Sequence, residues 1–371
     1  MDLLLCTSRF GDPTTSYMPL LATELSERGH TVYGTQYRPG SDLDGIRVDS
    51  ISVPHIKTPW WAGQWLLNQM LPGKLETKVA ELDPDAMVVG ASNIVPGISA
   101  AKTHDVPAIV VIPGLGFTRY NPLDLAENKS PRFRSLPSSA KIQYPFIKSL
   151  HTEYTEHLQQ ASEVIVVSEF LQRCLHQTFA VESQVVRTPR LLDSFIANKH
   201  SPEYILMVNP RHRLKGADVF VKIARQLPEH EFAIAGDLPN DEIQAEAESL
   251  DNIRLFGWVD DMKSVYAKTK LLLAPSRYQE GGGPTAVIEG FANGIPAVGT
   301  DRGAIPEHIQ TGGEVVTNID NINEWVEMIN TVLSDYETYA DEAKQISTEF
   351  KSNQQVDEFE AIIKDTVQSS K

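Results

Sequence analysis

Apolar residues fall along this chain in short blocks separated by segments of helical periodicity. The runs at 3–6, 85–89, 108–112, 163–167, 204–208, 231–235 and 271–274 are brief and nearly all apolar, as expected of strands covered on both faces. Between them, segments such as 17–28, 169–179 and 217–227 carry apolar residues three and four positions apart. Strand, helix and strand in repetition predict βαβ units and doubly wound parallel sheets. The alternation lapses once, over the mixed polar stretch 193–202, and restarts at Tyr204, which predicts a first domain over 1–200 and a second from 201 to about 349. Helices are expected at 321–333, 336–347 and 354–367 near the C-terminus.

The most specific stretch is 271–300, LLLAPSRYQEGGGPTAVIEGFANGIPAVGT. It reads as a strand, then a loop with Gly281, Gly282 and Gly283, then a helix with Pro284 as its first residue and Thr285 next, then a strand. Amides at a helix start lack intrahelical partners and point outward with the positive end of the dipole, and glycines let an anion come close. Glu280 and Glu289 flank this anion-attracting feature. Carboxylates repel phosphate, so they need another purpose, such as accepting hydrogen bonds from vicinal hydroxyls. A ligand with ribose, diphosphate and hexose would use all of these groups. On the apolar helix segment 286–292, Glu289 needs a partner: a ligand hydroxyl, a backbone amide or an arginine.

Composition narrows the class. With 371 residues, 41% hydrophobic and 22% charged, the chain has the size and make-up of a soluble two-domain globular protein. Its net charge of −16 argues against a nucleic-acid partner. Cys6 and Cys174 are too few for a disulfide framework or a zinc site and suit a cytoplasmic protein. No basic n-region precedes the leucines at the N-terminus, and no apolar run is long enough to span a bilayer.

Three further stretches are candidates for substrate contacts. The loop after the first strand offers Ser8, Arg9, Thr14 and Thr15, with Gly11 to let it turn. Trp60, Trp61, Trp65, Leu66, Leu67, Met70 and Leu71 crowd together, either as packing under a domain edge or as a patch for the membrane interface or an apolar acceptor tail. The segment 122–150 holds Lys129, Arg132, Arg134, Lys141 and Lys148 against Asp124 and Glu127, so it is either a solvated face or a site for anionic groups.

Four motifs in order resemble the group 1 (family 4, GT4) retaining glycosyltransferases of the GT-B fold: Lys215-Gly216 after YILMV, FGWVDD at 256–261, the stretch 274–298, and DRGAIPE at 301–307. The likeness is dense over about 161–310. It implies an α/β architecture of two Rossmann-like domains facing across a cleft, with a last helix from about 350 returning to the N-terminal domain. It implies a nucleotide-sugar donor, UDP- or GDP-linked, in the C-terminal domain and a glycan or lipid-linked glycan acceptor in the N-terminal one. No resident cofactor and no metal are implied. Residue by residue, Lys215 would neutralise the diphosphate, Glu280 address the transferred sugar, Glu289 take the ribose hydroxyls, and Trp258 and Val259 border the base, with Gly236 and the 281–285 loop completing the donor site. Location would be cytoplasmic, with peripheral contact at the inner membrane face.

The chain departs from the family pattern in three places. One residue more than usual separates Glu280 from Glu289, so strict register puts Gly281 at the first position. Either the loop bulges and Glu280 keeps its role, or glycine amides take it over. The usual Gly-Arg is Asn209-Pro210 here, leaving Arg211 or Arg213 as the replacement cation, although Arg211 could equally pair with a surface carboxylate. A histidine usual after an N-terminal-domain strand is replaced by Pro113-Gly114. Dinucleotide, P-loop, zincin and serine-hydrolase motifs are absent. The sequence reading is therefore a hexosyltransferase, with a non-catalytic nucleotide-sugar binder or an epimerase or phosphorylase on the same fold as alternatives.

Overall fold

A computed structural model describes residues 1–11, 16–54, 59–114, 138–198 and 201–370. Thr14, Thr15, Asp124, Glu127, Lys129, Arg132 and Arg134 lie outside the described residues. The chain divides into two compact units, Met1–Pro189 with Asn353–Lys371, and Arg190–Ser352.

The first unit is built on seven parallel strands: β1 (Asp2–Cys6), β2 (Thr31–Gln36), β3 (Arg47–Ser50), β4 (Ala86–Gly90), β5 (Ala108–Ile112), β6 (Glu163–Val166) and β7 (Gln184–Val185), in the order β3-β2-β1-β4-β5-β6-β7. Leu3, Leu4 and Leu5 are all fully buried, which the run of leucines requires of a strand covered on both faces. The last helix, Ser352–Ser369, buries Val356, Phe359, Ile363 and Val367 in this unit's core, a stripe at helical spacing. Arg28 pairs with Asp357 and, at 3.2 Å, with Glu360, which His30 also meets at 2.9 Å, so charges fasten the same helix at its rim.

The second unit carries six parallel strands: β8 (Tyr204–Val208), β9 (Glu231–Ala235), β10 (Ile253–Gly257), β11 (Thr269–Ala274), β12 (Ala297–Thr300) and β13 (Gly313–Val316), in the order β10-β9-β8-β11-β12-β13. Two apolar layers cover it. Tyr204 and Leu206 enter one layer and Ile205 and Met207 the other, so successive residues of one run serve opposite faces. The helix after the glycine loop spans Thr285–Ala292, and Pro284 is its N-cap, with φ −80° and ψ 107°. This corrects the placement of Pro284 as the first helical residue: its ring fixes φ, but ψ remains extended where the chain leaves the loop, and the helix starts one residue later.

Candidate active site

β8 and β11 are neighbours in the second sheet, yet the chain runs outward from them in opposite directions, through β9 to β10 and through β12 to β13. Connections leaving such a pair diverge, which opens a crevice beyond the carboxyl ends of the strands. A pocket lies there, lined by Val208, Lys215, Ala274, Ser276, Glu280 and Pro284 among others.

Lys215 reaches it through a tight turn. After β8, Asn209 takes a left-handed conformation with φ 51°, and its amide donates to Ala235 O at 2.7 Å. A short 3-10 turn, Arg213–Lys215, ends at Gly216, where φ is +83° and an added Cβ would stand 1.8 Å from Pro275 O. Only glycine lets this turn press on the end of β11. The contact is secured by Arg277 N, which donates to Leu214 O at 2.7 Å, while the Arg277 side chain pairs with Asp218 at 2.7 Å and Asp320 at 3.0 Å. Lys215 Nζ then donates to Glu280 Oε1 at 2.6 Å, an oxygen that also accepts from Ser276 Oγ at 2.9 Å. The ammonium retains donors beyond that bond.

Glu280 is 8% exposed, and its main chain is clamped by the DRGAIPE turn. Ala304 N donates to Glu280 O at 2.7 Å, and Gly303, at φ +63°, leaves no room for a Cβ, which would fall 2.4 Å from Glu280 N. Glu280 thus lines the pocket beside Lys215. Gly281, Gly282 and Gly283 follow it to the helix start, where the amides of Thr285 and Ala286 donate to no described residue. A lysine and uncommitted helix amides at a switch point form an arrangement suited to an anion.

Glu289 is placed differently. It is 6% exposed and does not line the pocket. Arg190 Nη2 pairs with its Oε1, and the Tyr266 hydroxyl donates to Oε2 at 2.7 Å. Burial, followed by the adjoining carboxylate, pushes the Tyr266 hydroxyl well above its ordinary pKa. Asn293 Nδ2 donates to Glu289 O at 2.9 Å, and the Arg190 guanidinium lies 5.3 Å from the centre of the Phe195 ring. Of the partners left open by the sequence, the arginine is the one present, joined by a tyrosine. An ionised carboxylate has about four acceptor positions, so these two bonds leave capacity.

The remaining candidates occupy the same edge of the sheet without entering the pocket. Gly236 follows β9 with φ +106°, and its amide donates to Gly257 O at 2.6 Å. Trp258 follows β10, is 76% exposed, and donates its indole N–H to Asp260 at 2.7 Å, while Val259 packs on the core. Arg211 and Arg213 are exposed and form no ion pair with a described residue. Ser276, Arg190 and Tyr266 were not singled out from sequence. Ser276 stands four residues before Glu280 and was within reach of a spacing argument, but Arg190 meets Glu289 across 99 residues. Among the described residues, no cluster of His, Cys, Asp and Glu is arranged to hold a metal, and no helix is long and apolar enough to cross a membrane.

Residues 202–335 match the family model described as glycosyl transferases group 1. No curated protein matches the chain in sequence. Solved structures resemble it over nearly its whole length. A sucrose-phosphate synthase from Thermosynechococcus elongatus gives a TM-score of 0.74 at 15% identity, covering 99% of both chains. Anabaena HepE in complex with UDP gives 0.74 at 15% identity, over 98% of this chain and 99% of that one. A glycosyltransferase from Rickettsia africae gives 0.73 at 15% identity, over 99% and 98%. Two parallel-sheet units, with a group 1 glycosyltransferase domain over 202–335, identify the chain as a protein of the GT-B glycosyltransferase fold.

Proposed function

We propose that the protein is a retaining, metal-independent GT4 glycosyltransferase that moves a hexosyl unit from a UDP- or GDP-sugar to a hydroxyl of a glycan or lipid-linked glycan. The observation that carries this reading is the pocket at the β8/β11 switch point, where Lys215 and Glu280 meet 2.6 Å apart beside the start of helix Thr285–Ala292. The diphosphate would lie between the Lys215 ammonium and the amides of the glycine loop, with Glu280 turned to the sugar hydroxyls. Glu289 would take the ribose hydroxyls with its spare acceptor positions, held in place by Arg190 and Tyr266. The base would stand at the Trp258–Val259 edge. Solved relatives of the fold include HepE with UDP-glucose and a pneumococcal O-GlcNAc transferase with UDP and GlcNAc, which supports a nucleotide-sugar donor. The acceptor would be held by the N-terminal unit, and peripheral contact with the inner face of the membrane would suit a lipid-linked one.

As the bond from sugar to phosphate breaks, charge grows on the departing diphosphate. Lysine and preoriented amides stabilise that charge more in the transition state than in the ground state. The acceptor oxygen attacks from the same face, and its proton passes to the leaving phosphate oxygen, so no protein nucleophile is needed. Incubation with UDP- and GDP-sugars, with release of free nucleotide measured in the presence and absence of EDTA, tests the reading. Release by the wild type that is insensitive to EDTA and falls about 100-fold or more in Lys215→Ala supports it. Binding without release would instead make the protein a nucleotide-sugar binder, and wild-type turnover in Lys215→Ala would remove the lysine from the mechanism.

A further inference from the structure

Helix Trp60–Met70 turns two amides inward beside Trp61 and Trp65, which pack on the core. Its fully buried residues are Gln64 and Asn68, while Leu66, Leu67 and Met70 are only half-buried. The buried pair is satisfied. Gln64 Nε2 donates to Asn68 Oδ1 at 3.1 Å and to Ser92 O at 3.0 Å, and Asn68 Nδ2 donates to Glu153 Oε2 at 3.1 Å. Turning two amides inward and leucines and methionine outward is unfavourable for a helix that only covers a core. The outward face, through Gly63, Leu66, Leu67 and Met70, forms one wall of a pocket of about 1060 Å³ at the carboxyl ends of the first unit's strands.

The other wall is cationic. Arg9 follows β1 and Arg38 follows β2; both are exposed, both line the pocket, and neither pairs with a carboxylate among the described residues. Among the described residues, no Asp or Glu lines this pocket, in a chain whose net charge is −16. Two arginines that pair with no described carboxylate, in a chain of net negative charge, concentrate positive potential at one end of a pocket whose opposite wall is largely hydrocarbon.

We propose that this pocket binds an amphiphile with a phosphate head and an alkyl tail, the lipid-phosphate part of a lipid-linked glycan whose sugar hydroxyl is the acceptor; the role as acceptor rests on the transferase reading above. Arg9 and Arg38 take the head, and Leu66, Leu67 and Met70 take the tail. The head sets specificity by charge, and the tail supplies affinity through apolar area removed from water.

The test is calorimetric titration of the full chain with decyl phosphate below its micelle concentration, alongside decanol and inorganic phosphate as probes lacking head or tail. Saturable binding of decyl phosphate, weaker by about tenfold or more for each truncated probe, is expected. Arg38→Glu removes the preference for decyl phosphate over decanol, and Leu67→Gln weakens decyl phosphate but not inorganic phosphate. Arg38 is exposed and Leu67 partly so, and thermal melts of both variants check that each remains folded. Decyl phosphate that fails to saturate, or binds wild type and both variants alike, overturns the inference. UDP titrated into the same wild-type preparation separates the two readings: UDP binding without amphiphile binding removes this acceptor class and leaves the donor site standing, whereas amphiphile binding without UDP binding leaves this pocket and removes the donor reading.

Discussion

Replacing Arg190 with methionine keeps much of the side-chain bulk and removes one partner of a buried ion pair. The Glu289 carboxylate, 6% exposed, would then hold only the Tyr266 hydroxyl at 2.7 Å. Loss of one member of such a pair leaves an uncompensated charge and costs about 3–5 kcal/mol, against a typical domain stability of about 5–15 kcal/mol. Tyr266→Phe removes a neutral donor to the same carboxylate and should cost less, about 1.5–3 kcal/mol. Arg190→Met with Glu289→Gln removes both charges and should recover most of the first loss, giving a coupling of more than about 1 kcal/mol in a double-mutant cycle. Urea unfolding followed by circular dichroism reads wild type, the single variants Arg190→Met, Glu289→Gln and Tyr266→Phe, and the double variant, with the midpoint and slope reported for the transition of the Arg190–Ser352 unit. UDP titration of the folded variants should show weaker binding once the carboxylate is no longer fixed. If Arg190→Met unfolds within about 0.5 kcal/mol of wild type, burial of the Glu289 side chain does not depend on the arginine.

Gly216→Ala tests the turn that carries Lys215. A Cβ at φ +83° and 1.8 Å from Pro275 O cannot be accommodated without moving the turn, so the melting temperature and UDP affinity should fall together, by about 1–3 kcal/mol in stability; a variant normal in both respects would contradict the packing described. Glu360→Gln tests the fastening of the last helix. Lys364, then His30 and Arg28, hold the Glu360 carboxyl down to about 2 from an ordinary 4.5, so its contribution is present at neutral pH and is lost as pH falls through that window. The variant should be less stable by about 0.5–1 kcal/mol at pH 7 and converge with wild type near pH 2, and a difference constant with pH would show that the ion pairs are not its source.

What could be read from the sequence follows from burial. The strands at 108–112, 204–208 and 231–235 are covered on both faces, so their runs are apolar apart from exposed Glu231 at the start of the third, and they coincide with the observed β5, β8 and β9. β3, Arg47–Ser50, is an edge strand with no fully buried residue, and its RVDS carries no such run. The tryptophan-rich stretch gave no clear helix because Gln64 and Asn68 face inward, which breaks the usual pattern. In the site, the glycine loop could be read from its own residues, a glycine turn ahead of a helix start, whereas Lys215 came only from the resemblance to a family. The Arg190–Glu289–Tyr266 cluster joins residues 99 and 23 positions apart, so only the fold brings it together. The sequence could state that Glu289 requires a partner, but not supply it.

Titration of UDP and GDP into wild type and Lys215→Ala tests the central claim most directly, since Lys215 Nζ stands 2.6 Å from Glu280 at the mouth of helix Thr285–Ala292. Saturable binding of one nucleotide by wild type, weakened about tenfold or more in Lys215→Ala with an unchanged melting temperature, is the expected result. Equal affinity in the two proteins would place the diphosphate somewhere other than the pocket between β8 and β11.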